Sequence, residues 1–276
     1  MAKRKKSKFS LSSIKLSWLG PLFTGVAIGI FSQHIPQLRA YTEEILQPIT
    51  HQASAEQYSQ SNLVPGQPIS SFQINRLGYA LAYDARNHNP LWIYEHLTAD
   101  SIKGAGDRAH SEFKEDERIP KHLRATLADY RGQGFDRGHM APAANHRSSQ
   151  QAMSDTFYLT NMCPQCPQFN RGYWCKLEKY IRDLTKDHAN IYVVTGPLYL
   201  PQRESDGKRY IKYQVIGPND VAIPTHFFKV ISLADTHGIY ETRAYVLPNQ
   251  EISANTSLDS YRTTVQKVEK AAGILF

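Results

Sequence analysis

Cysteine is scarce in this chain, with only 3 in 276 residues. That excludes a small disulfide-scaffolded domain, which needs a dense set of bridges. Acidic residues are missing altogether from positions 1–42, which carry Lys3, Arg4, Lys5, Lys6, Lys8, Lys15 and Arg39. The net charge of +7 over the whole chain is therefore the charge of that one end, and the remainder is formally neutral. Global charge accordingly says nothing about what the main domain binds. No G-x-S-x-G, H-E-x-x-H or Walker A motif occurs, which removes the usual signatures of serine hydrolases, zinc proteases and P-loop enzymes. No repeat of a 20–50-residue period occurs either, so a solenoid is excluded. What is present is a 41% hydrophobic share with 16 Tyr, 11 Phe and 3 Trp, enough to bury a core in one globular domain or two small ones.

The acid-free start has the layout of a targeting or membrane-insertion segment. A basic stretch from Met1 to Lys15 precedes the apolar run from Leu16 to Phe31. That run is shorter than the roughly 17–25 apolar residues of a comfortable transmembrane helix, but a thin bilayer and a snorkelling Lys15 accommodate it. No small-x-small cleavage site follows, which favours an uncleaved anchor or an organelle presequence over a cleaved secretory signal. Residues 43–67 are mostly polar without a sustained period and read as a linker. The expected division is a targeting or anchor segment at 1–42, the linker at 43–67 and a folded domain at 68–276.

Within that domain short β-type runs dominate. Gly78 to Tyr83 and Leu91 to Tyr94, separated by the turn-rich Asp84 to Pro90, predict an antiparallel hairpin. The charged stretch from Thr98 to Asp129 reads as mostly loop. Trp174, Leu177, Ile181 and Leu184 have helical spacing after a loop holding Pro164 and Pro167. Strands are expected at Ile191–Val194, Tyr213–Ile216, Thr225–Ile231 and Ala244–Leu247. A final amphipathic helix is expected from Leu258 to Ala272, ended by Gly273. Strands and helices do not alternate regularly, which points to an α+β domain on a mainly antiparallel central sheet with flanking helices.

The segment from Gly134 to Arg147 concentrates chemistry. Gly138 gives the backbone freedom for a close approach, and the adjacent His139 is a proton acceptor near neutral pH. Arg137 offers a planar fork for phosphate oxygens. Further on, Asn161, Gln165, Asn170 and Glu178 supply oxygens around a loop-to-helix junction. Asn170 and Glu178 lie eight residues apart, about 80° around an ideal helix, so both can lean to one side. A carbonyl oxygen with a nearby carboxylate and retained waters is a ligand set suited to Mg²⁺.

These residues resemble the DNA/RNA non-specific endonucleases of the ββα-metal (His-Me finger) class, and within it the mitochondrial endonuclease G branch. The likeness rests on Asp136-Arg137-Gly138-His139 with Ala143 to Arg147, and on Thr156 to Asn161 with Pro164-Gln165. It extends through Asn170, Trp174, Leu177 and Glu178 to Thr195 to Leu198, Lys212 to Gly217 and Pro224 to Val230. The resemblance implies that His139 is the general base, Asn170 the single direct protein ligand of Mg²⁺ or Mn²⁺, and Glu178 a carboxylate orienting a metal-bound water. It implies Arg137 as a transition-state stabiliser, DNA and RNA as substrates, and 5′-phosphate products. A further phosphate-binding Arg upstream is a feature of some members; Arg108, Arg118 and Arg124 all qualify and the spacing selects none. The likeness also implies a homodimer and an intermembrane-space location with an inner-membrane tether. The Lys-rich start departs from Arg-rich presequences and leaves a membrane-anchored, periplasmic place in a bacterial envelope as the alternative.

Plainer roles compete at each position. His139 alone would read as a turn-capping histidine, Asn170 as a helix N-cap, and Glu178 as the partner of Arg182 at i,i+4. Trp174 reads as core, while Asn145, His146 and Arg147 read as braces for the loop after His139. His188, His226 and His237 read as structural or solvent-facing. Arg131, Arg137 and Arg147 are the expected local source of positive field around His139. Cys163-Pro164-Gln165-Cys166 with Cys175 superficially suits a zinc or redox module, yet no fourth ligand has a recognised spacing, and Cys163 and Cys166 read as small buried hydrophobes. The rival to an enzyme is a catalytically silent, membrane-tethered nucleic-acid-binding protein.

Overall fold

The computed structural model describes residues 72–276. The expected segments 1–42 and 43–67 lie outside the described residues. In chain order the elements are β1 (Phe72–Arg76), β2 (Tyr79–Asp84), β3 (Asn89–Leu97), α1 (Leu127–Tyr130), β4 (Asp136–His139), α2 (Gln150–Asp155), β5 (Met162–Gln165) and α3 (Cys175–Leu184). They continue with β6 (Asn190–Leu198), β7 (Gln202–Arg203), β8 (Arg209–Tyr210), β9 (Val215–Ile216), β10 (Val221–Ala222), β11 (His226–Asp235), β12 (Gly238–Pro248), β13 (Arg262–Thr263) and α4 (Val265–Ala272). Seven strands form one sheet in the order β1-β2-β3-β6-β11-β12-β13. Every pairing in it is antiparallel. The expected hairpin is therefore β2–β3, and its turn is tied by the Asp84 carboxylate, which accepts from the Arg86 and Asn87 amides.

β11 is buried on both faces, and the alternation of a strand divides its side chains between two cores. Phe227, Ile231 and Leu233 join the larger core beneath α3, with Phe169, Trp174, Leu177 and Ile181. Phe228 and Val230 face the opposite way and pack with Val268 of α4. Phe227 stacks on Phe169 at 5.8 Å between ring centroids and meets Trp174 at 5.5 Å, so three aromatic rings join sheet to helix. The helical spacing of Trp174, Leu177 and Ile181 is thus the spacing of the face that α3 buries.

Two expectations need correction. Tyr213 and Gln214 lie outside any strand; only Val215 and Ile216 pair, with Val221 and Ala222, and the exposed segment before them adds just one backbone bond, from Ile223 N to the Gln214 carbonyl at 2.9 Å. The last helix starts at Val265, where the Thr264 hydroxyl caps Lys267 N, while Leu258–Tyr261 is a single 3₁₀ turn and Arg262–Thr263 extends the sheet. The Thr98–Asp129 stretch is mostly loop, as expected, with two 3₁₀ turns at Arg108–His110 and Lys121–Leu123 before it enters α1. Among the described residues no helix is long and apolar enough to cross a membrane.

The aromatic junction is open to test. Phe227→Ala should lower stability by about 3–5 kcal/mol in urea unfolding, the range for emptying a buried aromatic site; a loss under about 1 kcal/mol would show that the junction does not hold α3 on the sheet.

Candidate active site

β4 and β5 pair antiparallel with His139 opposite Met162 and Asp136 opposite Gln165, and the chain then winds into α3. The close approach expected at Gly138 is real. A Cβ there would lie 2.0 Å from Gln165 Oε1, so any side chain would displace Gln165 from beneath the strand. Gln165 is fully buried under the hairpin, and Asn161 spends its side chain on the Ala141 amide and on the Ala141 and Thr156 carbonyls. Neither joins the pocket, and both are corrections to the expected group of oxygen donors. Asn161 instead fixes the turn that follows His139.

A pocket of about 380 Å³ opens over this hairpin. It brings together all four candidate residues, Arg137, His139, Asn170 and Glu178, with Arg108, Arg171, Arg182, Asp136, Phe113 and Cys175 also on its wall. His139 is 8% exposed, with Phe157 edge-on at 4.9 Å and Phe113 at 5.6 Å, and its Nε2 has no hydrogen-bond partner. Burial, followed by the nearby charges of Arg108, His146 and Arg137, pushes its pKa down to about 3. The ring is thus neutral at physiological pH. A turn-capping role is set aside, since the capping bonds of this turn come from Asn161.

Asn170 is not an N-cap. It lies within a π-helical turn, Phe169–Trp174, that leads directly into α3. Its Nδ2 donates to Asp136 Oδ2 at 2.8 Å, which leaves Oδ1 as the free end of the amide. Arg171 closes on the same carboxylate with two bonds, at 2.9 and 2.6 Å. Burial pushes the Asp136 pKa up, but the Arg171 and Asn170 bonds outweigh it and hold the carboxyl below its usual range.

Glu178 is pushed up to about 7 by burial, with Glu95 adding to the shift and Lys229, Arg182 and Arg108 opposing it. It does not pair with Arg182, whose Nη1 instead donates to Asn145 Oδ1 at 3.2 Å. Asn145 and His146 brace the loop through the fully buried Glu95, at 2.9 Å each to Oε1. Beneath His139, Trp174 Nε1 donates to its carbonyl at 3.3 Å. Lys229 Nζ, 4.8 Å from the Trp174 ring centroid, donates to Thr195 Oγ1 at 2.7 Å and to the Met140 carbonyl at 3.4 Å. Burial lowers the Lys229 pKa, while Glu95 and Glu178 work against that shift.

The structure also selects among the arginines. Arg118 is held by Asp116 and Arg124 by Glu115, so Arg108 is the upstream arginine that lines the pocket. Arg137 lies over the Phe113 ring at 4.2 Å. The charges that act on His139 are those of Arg108, Arg137 and His146, with Arg171 and Arg182 also on the pocket wall; of the other expected arginines, Arg131 lines a neighbouring cavity and Arg147 is exposed and off the wall. Asp136, Arg171 and Arg182 were missed as pocket residues by sequence reasoning; only Asp136 carried a signal, as the first residue of the Asp-Arg-Gly-His run. Cys163 is buried as expected, Cys166 only partly so, and Cys175 is exposed. Among the described residues no three His, Cys, Asp or Glu side chains are arranged to hold a metal, so the zinc reading has no ligand set there.

The depressed histidine has a measurable consequence. Below about pH 6.5 the unfolded chain takes up a proton at position 139 that the folded chain refuses, so stability falls with pH by up to about 1.4 kcal/mol per unit from this group. His139→Asn should flatten the decline between pH 6.5 and 4.5 in urea unfolding; parallel curves for the two proteins would refute the buried neutral ring.

Residues 55–276 match the sequence profile of the DNA/RNA non-specific endonuclease family. The chain is 51% identical over 202 residues to mitochondrial endonuclease G of Homo sapiens, covering 73% of this chain and 68% of that protein. It is 46% identical over 220 residues to the mitochondrial nuclease of Saccharomyces cerevisiae, covering 76% and 66%. A crystal structure of an EndoG/EndoGI complex superposes with a TM-score of 0.73 at 48% identity, over 76% of this chain and 87% of that one. The β4–β5 pair leading into α3, set on an antiparallel sheet, is accordingly the ββα-metal nuclease fold in its α+β setting, and the chain belongs to the DNA/RNA non-specific endonuclease family.

Proposed function

We propose that this protein is a Mg²⁺-dependent, sugar-non-specific endonuclease that hydrolyses phosphodiester bonds of DNA and RNA to 5′-phosphate and 3′-hydroxyl ends. The observation that carries this reading is a largely buried, neutral His139 on the wall of a pocket that four guanidinium groups also line. A neutral imidazole among fixed cations accepts a proton from water while the cations hold an anionic diester. His139 takes that proton, and Arg137, with Arg108 and Arg182 on the same wall, steadies the charge that grows on the phosphate oxygens.

The donor set fits a hard cation that prefers oxygen. Asn170 Oδ1, left free by the bond from Nδ2 to Asp136, would hold Mg²⁺, with Mn²⁺ as a substitute, and Glu178 would orient a water bound to the ion. When bound, the ion polarises the scissile phosphate and offsets charge on the leaving 3′ oxygen. These groups address phosphate rather than base edges, which supports action on both nucleic acids with little sequence preference.

A homodimer and a mitochondrial place complete the reading. Tyr210, Ile211, Tyr213 and Val215 form an exposed apolar run in one short segment, the kind of surface a second copy covers. The human and yeast relatives are named as mitochondrial proteins. Residues 1–42 supply the basic and apolar sequence for an inner-membrane tether that keeps the nuclease domain in the intermembrane space.

Plasmid DNA and RNA should be cut with Mg²⁺ and spared with EDTA, and His139→Ala and Asn170→Ala should each lower the rate at least about a hundredfold. Full activity in EDTA, or in His139→Ala, would sink the mechanism, and tight DNA retention with no cleavage under any divalent ion would favour a silent binder. A chain starting at residue 43 should cut DNA as well as the full chain but no longer fractionate with mitochondrial membranes; if it folds yet cannot cleave, the first 42 residues belong to the active machinery.

A further inference from the structure

A second cavity of about 380 Å³ adjoins the pocket around His139, and Asp136 and Arg137 line both. Its remaining wall is of a different kind. Leu127, Tyr130 and Phe135 make it apolar and aromatic, and Arg131, exposed to solvent, stands at its edge. The wall is preformed. Tyr130 is a buried member of the small core that includes Met162, Ile216 and Val221, and Leu127 and Phe135 pack against that core from its margin. Gly132, also on the wall, has a φ of +71°, and no atom lies within 4 Å of where its Cβ would be.

The volume falls at the small end of ligand pockets, about 300–1,000 Å³. The shared wall restricts what can lie in it. A diester held by Arg137 continues as a strand on both sides of its phosphorus, and a cavity that shares Arg137 with the His139 pocket is within reach of the adjoining nucleotide. That nucleotide carries a flat apolar base and one more phosphate. Phe135 and Tyr130 match the first, and Arg131 matches the second.

We propose that this cavity is a nucleobase subsite, receiving the base next to the scissile phosphate between Phe135, Tyr130 and Leu127, with Arg131 on the adjoining phosphate. The inference rests on the nuclease reading of the His139 pocket and adds a stacking contact to it. Stacking on an aromatic wall accepts any base, so the subsite raises affinity for a strand without reading its sequence. It makes cleavage depend on the presence of a base, whatever its identity.

The test uses the full chain with Mg²⁺ and an end-labelled single-stranded oligothymidylate in which one central residue is replaced by a tetrahydrofuran abasic unit, which keeps the phosphates and removes one base. The wild-type protein should cut one bond adjoining the abasic unit about fivefold or more slowly than the same bond in the unmodified strand. Phe135→Leu should bring that ratio close to one. Because each protein is compared with itself, a general loss of activity does not imitate the effect. Arg131→Ala, a change at an exposed position that leaves packing intact, should raise KM for the unmodified strand several-fold with little change in kcat. Equal cutting of every bond by the wild type, or an undiminished abasic ratio in Phe135→Leu together with an unchanged KM in Arg131→Ala, overturns the subsite. Failure to cut the unmodified strand at all would instead remove the nuclease reading on which it stands.

Discussion

The buried ammonium of Lys229 is the tie on which the rest of this site depends. It rises from β11 on the face shared with Phe227 and Ile231, donates to Thr195 on the neighbouring strand and to the Met140 carbonyl, and lies against Trp174. Trp174 in turn donates to the carbonyl of His139. Two successive carbonyls at the end of β4 are thus held by groups rooted in the sheet and in the turn before α3. A lysine fully withdrawn from water is costly unless charge of opposite sign is near, and Glu95 and Glu178 provide it. Removing one member of such a set leaves an uncompensated buried charge, a loss of about 3–5 kcal/mol.

That requirement connects distant parts of the chain. Glu95, on β3, also holds Asn145 and His146, and Asn145 receives the Arg182 guanidinium that lines the pocket. Charges on β3, β11 and α3 are therefore arranged as one network behind the His139 pocket. On its near side burial and the Arg108 and Arg137 guanidinium groups disfavour a proton on the imidazole, and the aromatic rings of Phe113 and Phe157 pack against it. Burial keeps the histidine neutral, and the Arg108 and Arg137 charges that add to this also suit the pocket to an anion. One distribution of charge serves both ends.

Much of the fold was legible in the amino-acid order, because strand alternation and helix spacing are local. The β2–β3 hairpin, the α3 face and the paired runs of β6, β11 and β12 follow from apolar periodicity. Errors arose where local pattern and tertiary setting part. Tyr213 has strand-like neighbours but no partner strand, and Leu258 to Thr264 has helical spacing yet is drawn partly into the sheet edge beside β12. Similarly, Asn161 and Gln165 carry the right atoms for a ligand set, but backbone partners and burial claim them.

The site divides in the same way. Composition showed unaided that the excess positive charge belongs to the first 42 residues, and the run from Asp136 to His139 named its chemistry before any contact was known. Chain order could not choose between Arg108, Arg118 and Arg124, since that choice depends on which guanidinium is already spent on a carboxylate across the fold. Nor could it give the protonation state of His139, because nothing in the neighbouring residues marks how deeply the imidazole is buried. Its proton affinity is set by rings and charges brought together only when β4, β5 and α3 close over the sheet.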